Sequence, residues 1–316
     1  MLAMKRAMRV VAGALTLAVA LSACGSDGID LPVSGVDARF VAEVASYQQV
    51  VDEPSRFAVG LIGASGRWVS FGNAILTFTP PGGSAADPPD PAVAGFLPLP
   101  GSPDPEADPA LTLASEGRGV YAVDAFAFPT AGTWLVEASV ELDGETESAT
   151  ATFEVVEEPF VPVVGDPAIE VDHPVIGDNG APGALDSRAR DGEELPDPDL
   201  HESSIADALA AGRPSLILFA TPVYCSSRFC GPITDMVADL ASEYADRATF
   251  VHVEVWSDFE GRELNPAAEA WVATDDGRVL EPWLFLVDAE GMILESWDNI
   301  ATRDEVAAAL GALPAP

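Results

Sequence analysis

Apolar and polar positions divide the chain into two patterned regions joined by a polar one. From about Asp37 to Val156, apolar runs of strand length recur. Phe40-Val41-Ala42-Glu43-Val44, Phe57-Ala58-Val59-Gly60-Leu61-Ile62 and Ala74-Ile75-Leu76-Thr77-Phe78 are examples, punctuated by Gly, Ser and Pro and lacking a 3.6-residue period. Gly119 to Val123 and Thr133 to Glu137 flank the turn residues Pro129-Thr130-Ala131-Gly132. The second run continues to Leu142, and Ser148 to Val156 follows across Asp143-Gly144. Short strands at this spacing predict an all-β sandwich over 37–157, with Trp134 in its core. Pro80 to Pro109, dense in Pro, Asp and Gly, is expected to be a long loop or a partly disordered segment.

Residues 158–198 are again rich in Pro, Gly and Asp and read as a linker, or as an extended arm lying on the next domain. His173 and His201 sit in or beside this stretch with no partner at metal-ligand spacing, so both are expected to be solvated. Over 199–316 the period changes. Ser204 can cap a helix from Ile205 to Ala211, and Ser215 to Ala220 is a continuous apolar run suited to a strand buried on both faces. Ile233, Met236, Val237, Leu240 and Tyr244 recur at helical spacing after Pro232. Thr249 to Trp256 reads as a strand, Asn265-Pro266 as a helix start, Trp283 to Val287 and Met292 to Trp297 as a hairpin. Thr302 and Glu305 have the spacing of a capping box. After the first short helix the order is β-α-β-α-β-β-α, which predicts a mixed sheet flanked by helices.

The first 23 residues change the setting. Lys5, Arg6 and Arg9 precede an apolar run from Val10 to Ala20 and then small residues, the order of a secretory signal. Leu21-Ser22-Ala23-Cys24 resembles the bacterial lipobox, which implies cleavage before Cys24, lipid on that cysteine, and a short tether over 24–36. The expected location is the extracytoplasmic face of the cell membrane, held by lipid. No later stretch is long and charge-free enough to span a bilayer. Removal of the signal leaves 12 basic against 51 acidic residues, a net charge of −39, and no lysine at all. Nucleic acid and anionic lipid surfaces are therefore poor partners, because a polyanion needs a basic patch. With Cys24 lipidated, two cysteines remain, Cys225 and Cys230, and in an oxidising compartment they should pair.

Four features of the last region resemble the thioredoxin family. They are the buried strand ending in Phe219-Ala220-Thr221-Pro222, a cysteine pair before an amphipathic helix, Glu281-Pro282-Trp283 opening the hairpin, and the C-terminal helix. The region around Phe128 to Trp134 is similar to immunoglobulin-like modules of bacterial exported proteins. The expected architecture is therefore an immunoglobulin-like β-sandwich followed by a thioredoxin-like α/β domain. The resemblance implies a cis bond before Pro282, a substrate groove bordered by Pro282 and Trp283, and thiol–disulfide exchange at Cys225 and Cys230. Partners would be thiols or disulfides of exported proteins and a further redox partner, with no cofactor and no metal. The chain departs from the family in having four residues between the cysteines, in placing Gly231-Pro232 after the pair, and in lacking an acid on the preceding strand.

Geometry constrains the pair independently of the family. Helical positions five apart have Cα atoms about 8.6 Å apart, whereas a disulfide needs less than about 7 Å. Cys225 to Phe229 must then be a loop, with the helix beginning near Pro232. Cys230 at the helix start and Arg228 in the loop both favour a thiolate. Family order makes Cys225 the attacking sulfur, while the helix start favours Cys230. An inert staple in a binding or scaffold lipoprotein is the alternative. A third reading draws on thioredoxin-fold copper chaperones, which use two cysteines and a distant histidine. His252 would be that histidine, though its apolar strand makes a packed core histidine the plainer reading.

Overall fold

The computed structural model describes residues 39–314 apart from 64–65, 84–88, 179 and 275. Cys24, the signal and the tether lie outside the described residues. The described residues all fall within one compact unit.

The first half is one antiparallel sheet of nine strands. In chain order they are β1 (Phe40–Val44), β2 (Ser55–Gly63), β3 (Trp68–Ser70), β4 (Asn73–Thr79), β5 (Ala92–Pro98), β6 (Ala110–Thr112), β7 (Gly119–Phe126), β8 (Gly132–Leu142) and β9 (Glu145–Val155). Hydrogen bonding runs along the path β6-β3-β2-β7-β5-β4-β8-β9, with β1 on β2. Phe57 on β2 and Phe153 on β9 lie five strand steps apart, about 24 Å on a flat sheet. Their rings are nevertheless 4.7 Å apart. The sheet therefore curls on itself, and the alternate inward residues of β2, β4 and β8 share one core with Phe128 and Trp134. The stretch expected as a long loop holds β5, which pairs with both β4 and β7.

The second sheet is mixed and has four strands in the order β11-β10-β14-β15. β10 (Ser215–Ala220) runs parallel to β11 (Thr249–Glu254) and antiparallel to β14 (Trp283–Val287), which forms a hairpin with β15 (Ile293–Asp298). A small ribbon, β12 (Trp256–Asp258) with β13 (Glu263–Leu264), comes after β11. Four helices accompany these strands. α1 (Ile205–Ala210) is capped by Ser204, and α2 (Cys230–Tyr244) carries the amphipathic stripe. α3 (Pro266–Val272) is capped by Asn265, and α4 (Arg303–Ala312) starts with the Thr302–Glu305 capping box.

The expected pairing of an immunoglobulin-like sandwich with a thioredoxin-like α/β domain is corrected by this architecture. Among the described residues 38% are in strands against 19% in helices, the first half is a single continuous sheet, and a thioredoxin-like domain is not shown. The physical reason lies in how the small sheet is covered. One of its faces buries Val161 with Ile205, Trp271, Val272 and Phe285, packed against Tyr47, Phe160, Ile169 and Val171. Residues preceding the sheet in sequence thus complete its core. The segment Ala45–Gln49 bridges the two sheets: Asn299 Nδ2 donates to the Ala45 carbonyl at 2.9 Å, and the Tyr47 N–H donates to Asp298.

Candidate functional site

The disulfide joins Cys225 and Cys230 with Cα atoms 6.0 Å apart. Thr221 and Pro222 leave β10, the Cys225 N–H bonds back to the Thr221 carbonyl at 3.0 Å, and residues 225–229 form the loop that geometry required. Helix α2 begins at Cys230, two residues earlier than expected, so Pro232 falls at its third position. That position still lies among the first four, whose N–H groups have no intrahelical partner. Arg228 adopts φ +64°, which costs an L side chain about 1 kcal/mol. The loop is held in this form from both sides. Phe229 is buried with Ala45, Ala58, Leu99, Val120 and Ile300, and Ser227 Oγ lies 3.2 Å from Cys225 Sγ and 3.4 Å from the Glu281 carbonyl.

The two sulfurs differ in environment. Cys225 is half-buried, whereas Cys230 is wholly inside. Beside the loop opens a cavity of about 340 Å³ between the disulfide segment and the large sheet, walled by Ser226, Ser227 and Arg228 opposite Glu43, Gly60 and Trp68. Arg228 is exposed at its mouth. Burial, and after it the charge of Arg228, lower the pKa of Arg118. Pro282 and Trp283, expected to border the groove, are both buried. Trp283 stacks on Phe285 at 5.6 Å, and the bond between Glu281 and Pro282 is cis.

Behind the disulfide lie two carboxyls that sequence reasoning missed. Glu281 Oε2 accepts the Thr221 N–H at 2.5 Å and sits 3.6 Å from Cys230 Sγ. Burial, then the neighbouring Glu254, raise its pKa well above the ordinary carboxyl range. Glu254 ends β11, is 1% exposed and accepts the Ser187 N–H at 2.7 Å; burial raises its pKa too. The acid absent from β10 is thus supplied from β11 and from the residue before Pro282. A lone glutamate closing the apolar run Phe250 to Val253 was the signal available for Glu254. Tyr47 adds the large sheet's contribution, its hydroxyl donating to the Glu281 carbonyl.

The histidines also depart from expectation. His201 is 2% exposed and His173 7%, so neither is solvated. The segment read as a linker folds into 3-10 turns at Pro182–Ala184, Ser187–Gly192 and Pro198–His201, and the last of these buries Leu200 in the core beneath α2. His173 Nδ1 donates to the Pro174 carbonyl and its Nε2 accepts the Ile205 N–H, and burial pulls its pKa down to about 4. His252 is buried in β11, as its strand context suggested. It lies against Asp186 and His201, a grouping of three buried side chains that no sequence spacing displayed.

No helix among the described residues is long and apolar enough to cross a membrane. Comparison of the chain with protein-family models, with curated proteins and with solved structures finds no match.

Proposed function

We propose that this protein is held by lipid on Cys24 at the extracytoplasmic face of the membrane and exchanges thiols and disulfides with exported proteins through Cys225 and Cys230. The observation that carries this reading is the asymmetry of the pair. Cys225 is partly exposed, at the start of a loop whose next residues wall an open cavity, and Cys230 is buried against a carboxyl whose pKa is raised by burial. An incoming thiolate would attack Cys225 Sγ, the sulfur within reach. The S–S bond then breaks, its electron pair leaves on Cys230 Sγ, and Glu281 Oε2, 3.6 Å from that sulfur, passes its proton to it. The partner's second thiol, once deprotonated, attacks its own sulfur in the mixed disulfide and releases Cys225 as a thiolate. Two electrons have then passed from the partner's dithiol to this protein, and a partner disulfide runs the same steps in reverse. Arg228 at the loop and the first turn of α2 favour the thiolate forms.

Trapping tests the proposal. In Cys230→Ser the mixed disulfide on Cys225 has no resolving thiol, and it should accumulate on exported proteins. Cys225→Ser should trap nothing. A midpoint potential below about −300 mV together with no trapped adduct would instead establish an inert staple.

A further inference from the structure

Three buried side chains meet on the side of the small sheet facing α2. Asp186 caps the 3-10 turn Ser187–Gly192, His201 ends the turn Pro198–His201, and His252 lies in β11; their exposures are 0%, 2% and 2%. His201 Nε2 stands 3.6 Å and His252 Nδ1 3.5 Å from the same oxygen, Asp186 Oδ2, and all three ligand atoms lie within 4.8 Å of one another. Neither of those ring nitrogens has a hydrogen-bond partner, although both are buried.

The tautomer of His252 is set by its other nitrogen. Nε2 lies 3.0 Å from the Ala220 carbonyl, which can only accept, so Nε2 carries the proton. In the neutral ring Nδ1 then holds a lone pair, and that lone pair faces a carboxylate oxygen. Two acceptors at 3.5 Å repel unless a positive centre lies between them. Arg188 does not fill this role. Its Nε and terminal nitrogen bind the carboxylate of Asp186, at 3.0 and 2.7 Å, and no bond joins it to either imidazole. A ring that donates one N–H to a backbone carbonyl and turns its other nitrogen to a shared centre is the usual posture of a metal-bound histidine. Both histidine–carboxylate separations agree with this: tetrahedral bonds of about 2.0 to 2.2 Å place neighbouring ligand atoms about 3.3 to 3.6 Å apart, and the two imidazole nitrogens lie within 4.8 Å of each other.

We propose that Asp186, His201 and His252 bind a divalent transition-metal ion of the zinc class, with water completing its coordination. The ion would fasten the 158–201 segment to β11. Through Ser187, whose N–H meets Glu254 and whose hydroxyl accepts the Val223 N–H at 3.1 Å, it would also steady the chain entering the cysteine loop.

The test uses the purified full chain with its disulfide intact, stripped with chelator and titrated with Zn²⁺ and separately with Co²⁺. One equivalent should bind and raise the melting temperature. The Co²⁺ form should show tetrahedral d–d bands without thiolate charge transfer. His201→Gln, His252→Gln and Asp186→Asn should each weaken binding ~100-fold, at the upper end of what outer-shell changes cost. If these variants fail to fold, nitrogen-15 NMR of wild-type histidines decides the matter. Zn²⁺ should move the His252 Nδ1 resonance from the unprotonated to the metal-bound position while Nε2 keeps its proton. The proposal is overturned by absence of stoichiometric binding, by binding that survives in both histidine variants, or by a His252 ring protonated on both nitrogens and indifferent to Zn²⁺. In that last case the cluster is closed by a proton.

Discussion

Glu281 reaches both halves of the disulfide with different atoms: its carbonyl lies 4.0 Å from Cys225 Sγ, and its carboxyl lies 3.6 Å from Cys230 Sγ. The carbonyl is fixed by the Tyr47 and Ser227 hydroxyls, so the main chain at this residue forms part of the loop's support. The carboxyl is the part that can carry a proton. Glu281→Gln keeps an oxygen for the Thr221 N–H and removes that proton. Reduction of the disulfide by a small thiol should then slow by about 100-fold, the low end of what a positioned acid supplies, and its rate should lose the pH dependence set by this group. The melting temperature at pH 7 should not fall, because a buried carboxyl with a raised pKa is a burden once it ionises. Stopped-flow monitoring of tryptophan fluorescence, with calorimetry alongside, measures both. An unchanged reduction rate would remove Glu281 from the mechanism.

At the scale of elements, the cysteine loop is supported by a sheet distant in sequence. Phe229 sits among side chains of β2 and β7 and the chain after β1 and β15, and Trp68 of β3 lies 6.3 Å away. Phe229→Ala should cost about 3 kcal/mol, the lower range for such truncations. It should also speed reduction of the disulfide, because the strained turn at Arg228 loses its anchor; chemical denaturation and thiol-reduction kinetics test the two effects separately. Lost stability with an unchanged reduction rate would mean that Phe229 fills the core without holding the loop. This contact also shows what the sequence could not display. The runs that became β1, β2, β4, β8, α2 and α4, with the caps at Ser204 and Thr302, were legible because period and capping are local properties. β5 was hidden because Pro and Asp on either side outweighed a short apolar run. The joining of the small sheet's core to Val161 and Tyr47, and hence the failure of the two-domain expectation, depended on contacts between residues far apart in sequence. The cluster of Asp186, His201 and His252 was invisible because Asp186 lies within, and His201 just beyond, a stretch whose composition resembles a linker.

At the scale of the whole molecule, acidity and buried carboxyls act on stability in the same direction. The chain carries a formal charge of −36 at pH 7, and self-repulsion of that size weakens the compact state. Asp298, half-buried where β15 meets the Ala45–Gln49 segment, is raised from 3.8 to about 6 by burial, against the opposing bond from the Tyr47 N–H and the charge of Arg56. Glu281 and Glu254 are raised as well. A carboxyl whose pKa is higher in the folded state binds its proton more tightly there. Its contribution is complete below the unfolded pKa and is lost as pH rises through the folded one. The melting temperature should therefore be higher near pH 5 than at pH 8, and added salt should raise it more at pH 8, where repulsion is larger. Asp298→Asn retains an acceptor for the Tyr47 N–H and removes the ionisation. The slope between pH 4 and 6 should flatten in this variant, while the slope above pH 6 persists through the remaining charge. Scanning fluorimetry from pH 4 to 8 at two salt concentrations measures all of these terms. A wild-type profile that rises toward pH 8, or an unchanged slope in Asp298→Asn, would mean that the paired carboxylates govern stability rather than the buried ones.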